Sequence, residues 1–344
     1  MPAARLYLDH AATTPLLPAA RDAMLEGFAF WANPSSPHHA GRAARAALED
    51  ARTRISAALG WTGEVVLTSG ASEALAIALT RAALPAVAVS AVEHDAVLRL
   101  AEGLRRLAVD HCGRVDPADA ARPGLVAVQH ANSETGVVQP LADVAAAVRG
   151  ADGLLLADCA QSAGKLPLPD ADLIVLSAHK FGGPIGVGAL LVRDFAMLRP
   201  AGGQERGYRG GTENLPGALA MAAALEAGAG WLEQAASFRA RLDDAITALG
   251  GTVVAGLTAR IPTIAAYRMP GISANAQLIR FDAAGIAVSA GSACASGSLK
   301  PSHVLAAMAV EGAGEVIRVS LGRETRAADV ERFIETWQAI ATRS

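Results

Sequence analysis

Between residues 64 and 192, short apolar runs alternate with segments that favour helix. The runs lie at 64–68, 86–92, 125–129, 154–157, 173–176 and 187–192. Strand-like runs that alternate with helices predict a mostly parallel sheet with crossover helices. Every run ends in a group of polar residues, and ligands bind at the carboxyl ends of strands in such sheets. The sequence therefore predicts an α/β fold with one shared ligand site at that edge of the sheet.

Helices are predicted at 41–59, 71–84, 96–107, 141–149 and 213–249. The segment 41–59 is amphipathic and is followed by Gly60, a residue that commonly ends helices. After residue 250 the alternation gives way to shorter strands and helices, which predicts a smaller α+β domain. We therefore predict a large domain over 15–235 and a small domain formed by 1–14 and 236–344.

The stretch at residues 172–188, DLIVLSAHKFGGPIGVG, is the most informative part of the chain. Its apolar run delivers Ser177, His179 and Lys180 to a turn, and several glycines follow that let backbone approach a ligand closely. A lysine placed there, beside a hydroxyl and an imidazole, could form a Schiff base with a carbonyl cofactor. The alternatives are a solvated loop lysine, or a structural salt bridge with Asp158 at the end of the preceding run.

A second turn, SGASE at residues 69–73, connects a predicted strand to a predicted helix. Serine and glutamate at a helix start are typical of capping. The same position also suits an anion, because free N–H groups and the helix dipole favour a phosphate there. Both interpretations stay open from this feature alone.

The composition of the chain excludes several classes of function. The chain has 344 residues, 52% hydrophobic and 18% charged, and a net charge of −3 that gives no indication of nucleic-acid or membrane binding. The N-terminus lacks the apolar core of a signal peptide, so a cytoplasmic location is expected. Three cysteines without a CxxC pair argue against a disulfide framework or a metal site, and only Cys294 has surroundings that suggest a role.

Ten segments in order carry a resemblance to a known family. They are YLDHAATTP, NPSS, TSGASE, VEHDAV, HANSETGVVQP, DCAQSAGK, SAHKFGGPIGVG, GGQERGYRGGTEN, SAGSACASGS and IRVSLG. Together they resemble the cysteine desulfurases of the NifS/IscS type, which are class V, fold type I enzymes dependent on pyridoxal 5'-phosphate (PLP). The resemblance covers nearly the whole chain. It implies a seven-stranded type of sheet in the large domain.

The resemblance implies a set of residues that bind PLP. Lys180 would hold the cofactor as a Schiff base, Asp158 would pair with the pyridinium nitrogen, and His94 would stack on the ring and could help move protons. Thr212 would reach the phosphate of the neighbouring subunit's cofactor, which implies a homodimer. The complete predicted set is Ala71, Ser72, His94, Ser133, Asp158, Gln161, Ser177, His179, Lys180 and Thr212.

The resemblance also implies the reaction. Arg318 would bind the carboxylate of L-cysteine, with Asn33 as a further candidate, and Cys294 would be the nucleophile. The products would be L-alanine and a persulfide on Cys294 that passes to an acceptor protein, either an iron–sulfur scaffold or a tRNA-thiolation protein. An inert Cys294 would instead favour another class V aminotransferase or lyase. A PLP-fold scaffold without turnover is the alternative from a different class.

Two positions in the cofactor set depart from the family pattern, and one of them, Ser72, replaces a common threonine and keeps the hydroxyl. The family's HANNETG has asparagine where this chain has Ser133. That asparagine contacts the hydroxyl of the cofactor ring. The contact in this chain could therefore be weaker, mediated by water, or left to Gln161.

Overall fold

The computed structural model describes residues 5–291 and 301–342. The strands are β1 Leu6–Tyr7, β2 Glu64–Thr68, β3 Ala86–Ser90, β4 Arg105–Leu107, β5 Leu125–Ala127, β6 Leu154–Asp158, β7 Leu173–Ser177, β8 Gly188–Val192, β9 Thr252–Val253, β10 Ile264–Arg268, β11 Ile286–Ala287 and β12 Val316–Ser320. The α-helices are α1 Pro18–Gly27, α2 His39–Leu59, α3 Ala71–Arg81, α4 Asp95–Leu98, α5 Pro117–Ala120, α6 Leu141–Gly150, α7 Leu215–Glu226, α8 Leu232–Ala248, α9 Ala274–Ala283, α10 His303–Ala307 and α11 Ala327–Ala341.

A seven-stranded sheet forms the centre of the molecule, with the order β2-β8-β7-β6-β5-β3-β4. The strands are parallel apart from β8, which runs antiparallel to both of its neighbours. Strand β8 follows β7 through the turn at 178–187, so the turn that carries Lys180 also reverses the chain. The prediction of an α/β fold with a mostly parallel sheet of this size is confirmed.

Alternation of side chains places the two faces of this sheet against different helices. On β7, Ile174 and Leu176 pack in one apolar core with Leu48 of α2. Leu173 and Val175 of the same strand pack in a second core with Leu75 of α3. Because both faces are covered, β7 is buried along its whole length. This explains why the segment reads as a continuous apolar run rather than an alternating one.

A smaller part of the structure contains an antiparallel sheet of order β12-β10-β9 and the parallel pair β1-β11. Its core is built around large buried rings: Tyr267, Phe281, Phe333 and Trp337. The Phe281 and Phe333 rings are stacked, with centroids 5.0 Å apart. Leu6 from the N-terminal segment contributes to this same core. The division of the chain into two domains at the predicted boundaries stays a prediction.

Two of the predicted helices are wrong in part. The segment 96–107 was expected to be one helix, but it contains the short α4 and the strand β4. Strand β4 pairs with the edge of β3, and this tertiary pairing outweighs the local helix preference. The segment 213–249 is two helices, α7 and α8, with Gly228 between them at φ 70°. A positive φ ends a helix, and glycine adopts it at low cost.

Helix length and composition bear on membrane association. Within residues 5–291 and 301–342, no helix is both long and apolar enough to cross a membrane. The helix α2 has 21 residues, but its sequence HAGRAARAALEDARTRISAAL is interrupted by charged side chains throughout.

We predict that Leu48→Ala lowers the free energy of unfolding by about 2–5 kcal/mol, because it leaves a cavity between α2 and the sheet. Leu48 is fully buried, whereas Leu257 is fully exposed, so Leu257→Ala is the matched control with little expected effect. Urea denaturation of both variants measures the difference. Equal stabilities for the two variants would contradict this account of the core.

Candidate active site

A cavity of about 430 Å³ lies at the carboxyl ends of the central strands. Residues from several strand ends and from the start of α3 line it, as the alternating sequence pattern predicted. Nine of the ten residues predicted to bind the cofactor are among the lining: Ala71, Ser72, His94, Ser133, Asp158, Gln161, Ser177, His179 and Lys180. The structure therefore brings together side chains that are more than a hundred positions apart in the sequence.

One wall of the cavity is the N-terminus of α3, an eleven-residue helix. Gly70 precedes the helix with φ 148° and, having no side chain, supplies no cap. Gly70 also lies against β8, since a Cβ atom on Gly188 would stand 2.7 Å from the Gly70 Cα. Both interpretations of this turn stay open, because Glu73 accepts a hydrogen bond from the Ser69 amide at 2.6 Å, while the N–H groups of the first helical turn, for which no side-chain acceptor is found among the described residues, suit an anion.

Lys180 occupies a single turn of helix, Ala178–Lys180, directly after β7. Its Nζ donates hydrogen bonds to the carbonyl oxygens of Ala11 at 2.7 Å and Ala12 at 2.8 Å. The amine is therefore docked against the N-terminal segment rather than extended into solvent. This geometry contradicts the interpretation of Lys180 as a solvated loop lysine.

Asp158 and Gln161 lie together at the end of β6 and both are buried. The Oδ1 atom of Asp158 accepts a hydrogen bond from the Ala160 amide at 2.9 Å. Burial raises the pKa of Asp158, although that bond and the charges of His94 and Lys180 act in the opposite direction. Gln161 donates to the Ala11 carbonyl at 2.9 Å, while its Oε1 is buried without a hydrogen-bond partner among the described residues. A bound group that carries positive charge and a donor would satisfy both side chains.

Two histidines of the cavity have one ring nitrogen engaged. The Nδ1 atom of His94 accepts a hydrogen bond from the Ala96 amide at 3.1 Å, so its proton lies on Nε2 in the neutral form. The Nδ1 atom of His179 is 3.1 Å from the Thr13 hydroxyl. Burial lowers the pKa of both rings, to about 4 for His179. Both imidazoles are therefore neutral near pH 7.

Arg318 lines a second cavity of about 160 Å³ that shares His94, Ser133 and Lys180 with the first. Arg318 is buried and lies in β12. It donates to the Asp9 carboxylate at 2.7 Å and to the Ser133 carbonyl at 3.0 Å, while its Nε has no partner among the described residues. An anchored guanidinium with a remaining donor is suited to bind a carboxylate.

Two predicted site residues of the described part of the chain lie outside these cavities. Thr212 and Asn33 are exposed, and the Asn33 side chain accepts a hydrogen bond from the Ser35 amide at 2.8 Å. Cys294 falls outside the described residues. The roles predicted for these three residues stay predictions.

The other two cysteines differ from each other. Cys159 is fully buried next to Asp158, and burial raises the pKa of its thiol, which disfavours a nucleophilic thiolate. Cys112 is only half-buried. Its amide bonds the Asp110 side chain in a surface turn. Among the described residues, no group of three or more potential metal ligands is present.

Sequence reasoning missed several residues at the site. The N-terminal segment contributes Asp9, the carbonyls of Ala11 and Ala12, and the Thr13 hydroxyl. Glu93, beside His94, is fully buried, and burial raises the pKa of its carboxyl well above the usual range. Backbone carbonyls carry no signal in a sequence. The adjacency of Glu93 to His94 was the only available indication for that residue.

Comparison with known proteins identifies the family. The family model described as aminotransferase class-V matches residues 6–333. This chain belongs to the class-V aminotransferase family. A cysteine desulfurase of Bradyrhizobium diazoefficiens is 39% identical over 374 aligned residues, which cover 99% of this chain and 95% of the relative. A cysteine desulfurase IscS of Dictyoglomus turgidum is 34% identical and covers 98% of this chain and 96% of its own length.

Solved structures agree with the family assignment. A NifS-like protein superposes with a TM-score of 0.89 at 29% sequence identity, and the match covers 99% of this chain and 100% of the other. The predicted fold type I architecture of PLP-dependent enzymes is thereby confirmed.

We predict that Lys165→Met stabilises the protein most strongly near pH 7. Lys165 is buried, and burial, followed by the Lys180 charge, lowers its pKa from the ordinary 10.5 to about 7. Between these two values the unfolded chain binds more protons than the native one, so the stability of the wild type rises with pH. Methionine fills the space without a charge, and its advantage should shrink toward pH 10.5.

Thermal midpoints of wild type and Lys165→Met over this pH range measure the effect. If Lys165→Met were less stable than the wild type at every pH, the Lys165 ammonium would have a stabilising partner in the folded protein. That result would contradict burial as the main cause of the lowered pKa of Lys165.

Proposed function

We propose that this protein is a PLP-dependent cysteine desulfurase that converts L-cysteine to L-alanine. One observation carries the proposal: the cavity around Lys180 adjoins the cavity that holds Arg318. A lysine that could bind a carbonyl cofactor thus lies near an arginine that could bind a carboxylate. The relatives named cysteine desulfurase, which match over nearly the full chain, support the same activity.

The cavity fits PLP on the chemistry of its lining. The open N-terminus of α3, with Ser177 and His179 nearby, would hold the phosphate through N–H and hydroxyl donors. Asp158 would bind the protonated ring nitrogen, since a positive charge offsets the cost of burying its carboxylate. The unpartnered Gln161 Oε1 lies within the same part of the lining. PLP supplies an electron sink for bonds broken at the substrate's carbon atoms.

In the proposed mechanism, Lys180 would hold the cofactor through its amine. That amine lies beside the Ala11 and Ala12 carbonyls, where it could hold or return a proton. His94, neutral with a proton on Nε2, is positioned in both cavities for a second proton transfer. Arg318 orients the substrate through its carboxylate.

The sulfur transfer belongs to Cys294 in this proposal. Its thiolate attacks the substrate sulfur and forms an S–S bond, while the C–S bond breaks and its electron pair stays with the substrate carbon. A proton then adds to that carbon, which completes L-alanine and leaves the persulfide on Cys294. An acceptor protein, either an iron–sulfur scaffold or a tRNA-thiolation protein, removes the outer sulfur.

The proposal includes a homodimer. Large apolar side chains follow α1 on the surface, where Phe28 is 60% and Trp31 84% exposed. Exposed apolar clusters of this kind are typical of protein interfaces. The end of α1 packs on the start of α7, since a Cβ on Gly27 would lie 2.6 Å from Pro216. Thr212 lies just before that helix, so the same face would bring it to the neighbouring subunit's cofactor.

The proposal also includes a cytoplasmic location. Cys112 and Cys159 are both free thiols. Free thiols are typical of a reducing compartment.

We predict that the purified protein, loaded with PLP and supplied with a reducing thiol, releases equal amounts of alanine and sulfide from L-cysteine. Lys180→Ala should lose both the yellow colour and the turnover, because no amine remains to bind the carbonyl. Cys294→Ser should keep the colour but release no sulfide. Sulfide release by Cys294→Ser at the wild-type rate would remove Cys294 from the mechanism. A yellow wild type that makes neither product would favour another class V reaction.

We predict that Phe28→Asp combined with Trp31→Asp produces a monomer with weakened PLP binding, because the charges disrupt the apolar face and withdraw Thr212 from the second site. Size-exclusion chromatography with light scattering measures the molecular mass of the wild type and of each variant. The control is Ile279→Asp, which places a charge on a side chain that is 71% exposed in a different helix. A wild type that elutes as a monomer with full PLP affinity would refute the proposed dimer.

A further inference from the structure

The N-terminal segment at residues 9–14 contacts the site at more points than its sequence indicates. Its backbone accepts hydrogen bonds from Lys180 and Gln161, as described above. In the other direction, the Thr14 amide donates to the His179 carbonyl at 2.8 Å and the Thr14 hydroxyl donates to the Lys180 carbonyl at 3.3 Å. The segment therefore follows the backbone of the turn that carries His179 and Lys180.

Within this segment, the side chain of Thr13 contacts the imidazole of His179. Its Oγ1 is 3.1 Å from His179 Nδ1. The Thr13 carbonyl accepts a hydrogen bond from the Tyr7 hydroxyl at 2.9 Å, which fixes the backbone at this position. Sequence analysis assigned no role to Thr13, and the proposed reaction does not use it.

The contact decides which ring nitrogen of His179 can donate into the cavity. A neutral imidazole carries one proton, and a phosphate requires a donor rather than a bare nitrogen lone pair. If the Thr13 hydroxyl donates to Nδ1, the proton lies on Nε2, the nitrogen on the far side of the ring. If a bound phosphate raises the proton affinity of the ring, the same hydroxyl can accept from Nδ1–H while Nε2–H still donates. A hydroxyl is suited to both cases because it donates and accepts.

We propose that Thr13 is a positioning residue, whose hydroxyl orients His179 so that Nε2–H is presented to the cofactor phosphate. This inference rests on the proposed function, which supplies the phosphate. It concerns phosphate recognition rather than the chemistry at Lys180. The lowered pKa of His179 agrees with it, because a ring that is neutral near pH 7 depends on a neighbour to select its tautomer.

The test compares two aldehydes, PLP and pyridoxal, which share the ring and the carbonyl but differ in the phosphate. Full-length protein freed of cofactor is titrated with each, and binding is followed by absorbance. We expect Thr13→Val to weaken PLP binding about tenfold, the size of a lost hydrogen bond to a charged group. Pyridoxal binding should stay within about twofold of wild type, since no phosphate is present to lose a donor.

Three further variants make the result specific. Thr13→Ser keeps the hydroxyl and should restore PLP affinity. Thr53→Val makes the same chemical change at an exposed threonine, whose hydroxyl bonds only the Glu49 carbonyl at 3.0 Å, and should leave both affinities unchanged. In a His179→Ala background, Thr13→Val should have no additional effect, because Thr13 acts through the ring.

Equal weakening of PLP and pyridoxal by Thr13→Val would overturn the inference, since it would show that Thr13 only holds the N-terminal segment in place. If Thr13→Val weakened PLP binding further in the His179→Ala background, the inference would be overturned as well. A wild type that binds neither aldehyde would instead refute the cofactor assignment, and that outcome is distinct because it does not depend on any variant. Turnover of L-cysteine enters none of these measurements.

Discussion

The docking of the Lys180 amine against two backbone carbonyls is the interaction on which the site depends. It requires that β7 end at Ser177, that the chain turn at once, and that residues 11 and 12 lie across the turn. Each of these conditions is met by a different part of the fold. Strand β8 reverses the chain, and the central sheet fixes the turn. Leu6 packs in the core of the smaller part and so anchors the chain just before residues 9–14.

Burial governs the electrostatics of this site. It raises the pKa of Asp158 and lowers the pKa values of His94 and His179, so the cavity contains neutral imidazoles beside a buried carboxyl. Such an arrangement is costly for the protein alone, because removing ionisable groups from water destabilises a fold. It becomes favourable when a ligand supplies the missing charges and donors. Ionisable groups with pKa values shifted by burial are expected at a functional site and are rare in a structural core.

Arg318 connects the smaller sheet to the region around the central sheet. It lies in a strand of the smaller sheet, yet its guanidinium contacts Asp9 of the N-terminal segment and the Ser133 carbonyl of a loop that follows the central sheet. A carboxylate bound by Arg318 would therefore contact a guanidinium that is hydrogen-bonded to both Asp9 and the Ser133 carbonyl. Glu134, next to Ser133, accepts a hydrogen bond from Ser302, which adds a second connection between the same parts.

The sequence pattern alone determined the α/β class and the strand ends that meet at one edge, because apolar runs and polar strand ends are local patterns with a regular period. The resemblance to a known family implied nine of the residues that line the main cavity. Only the tertiary structure decided that 96–107 contains the edge strand β4, and that Thr13 and Asp9 contact residues 166 and 309 positions away. These contacts join single side chains, and no local pattern in the sequence indicates which distant residue each one meets. They exist only once packing has brought the N-terminal segment across the sheet.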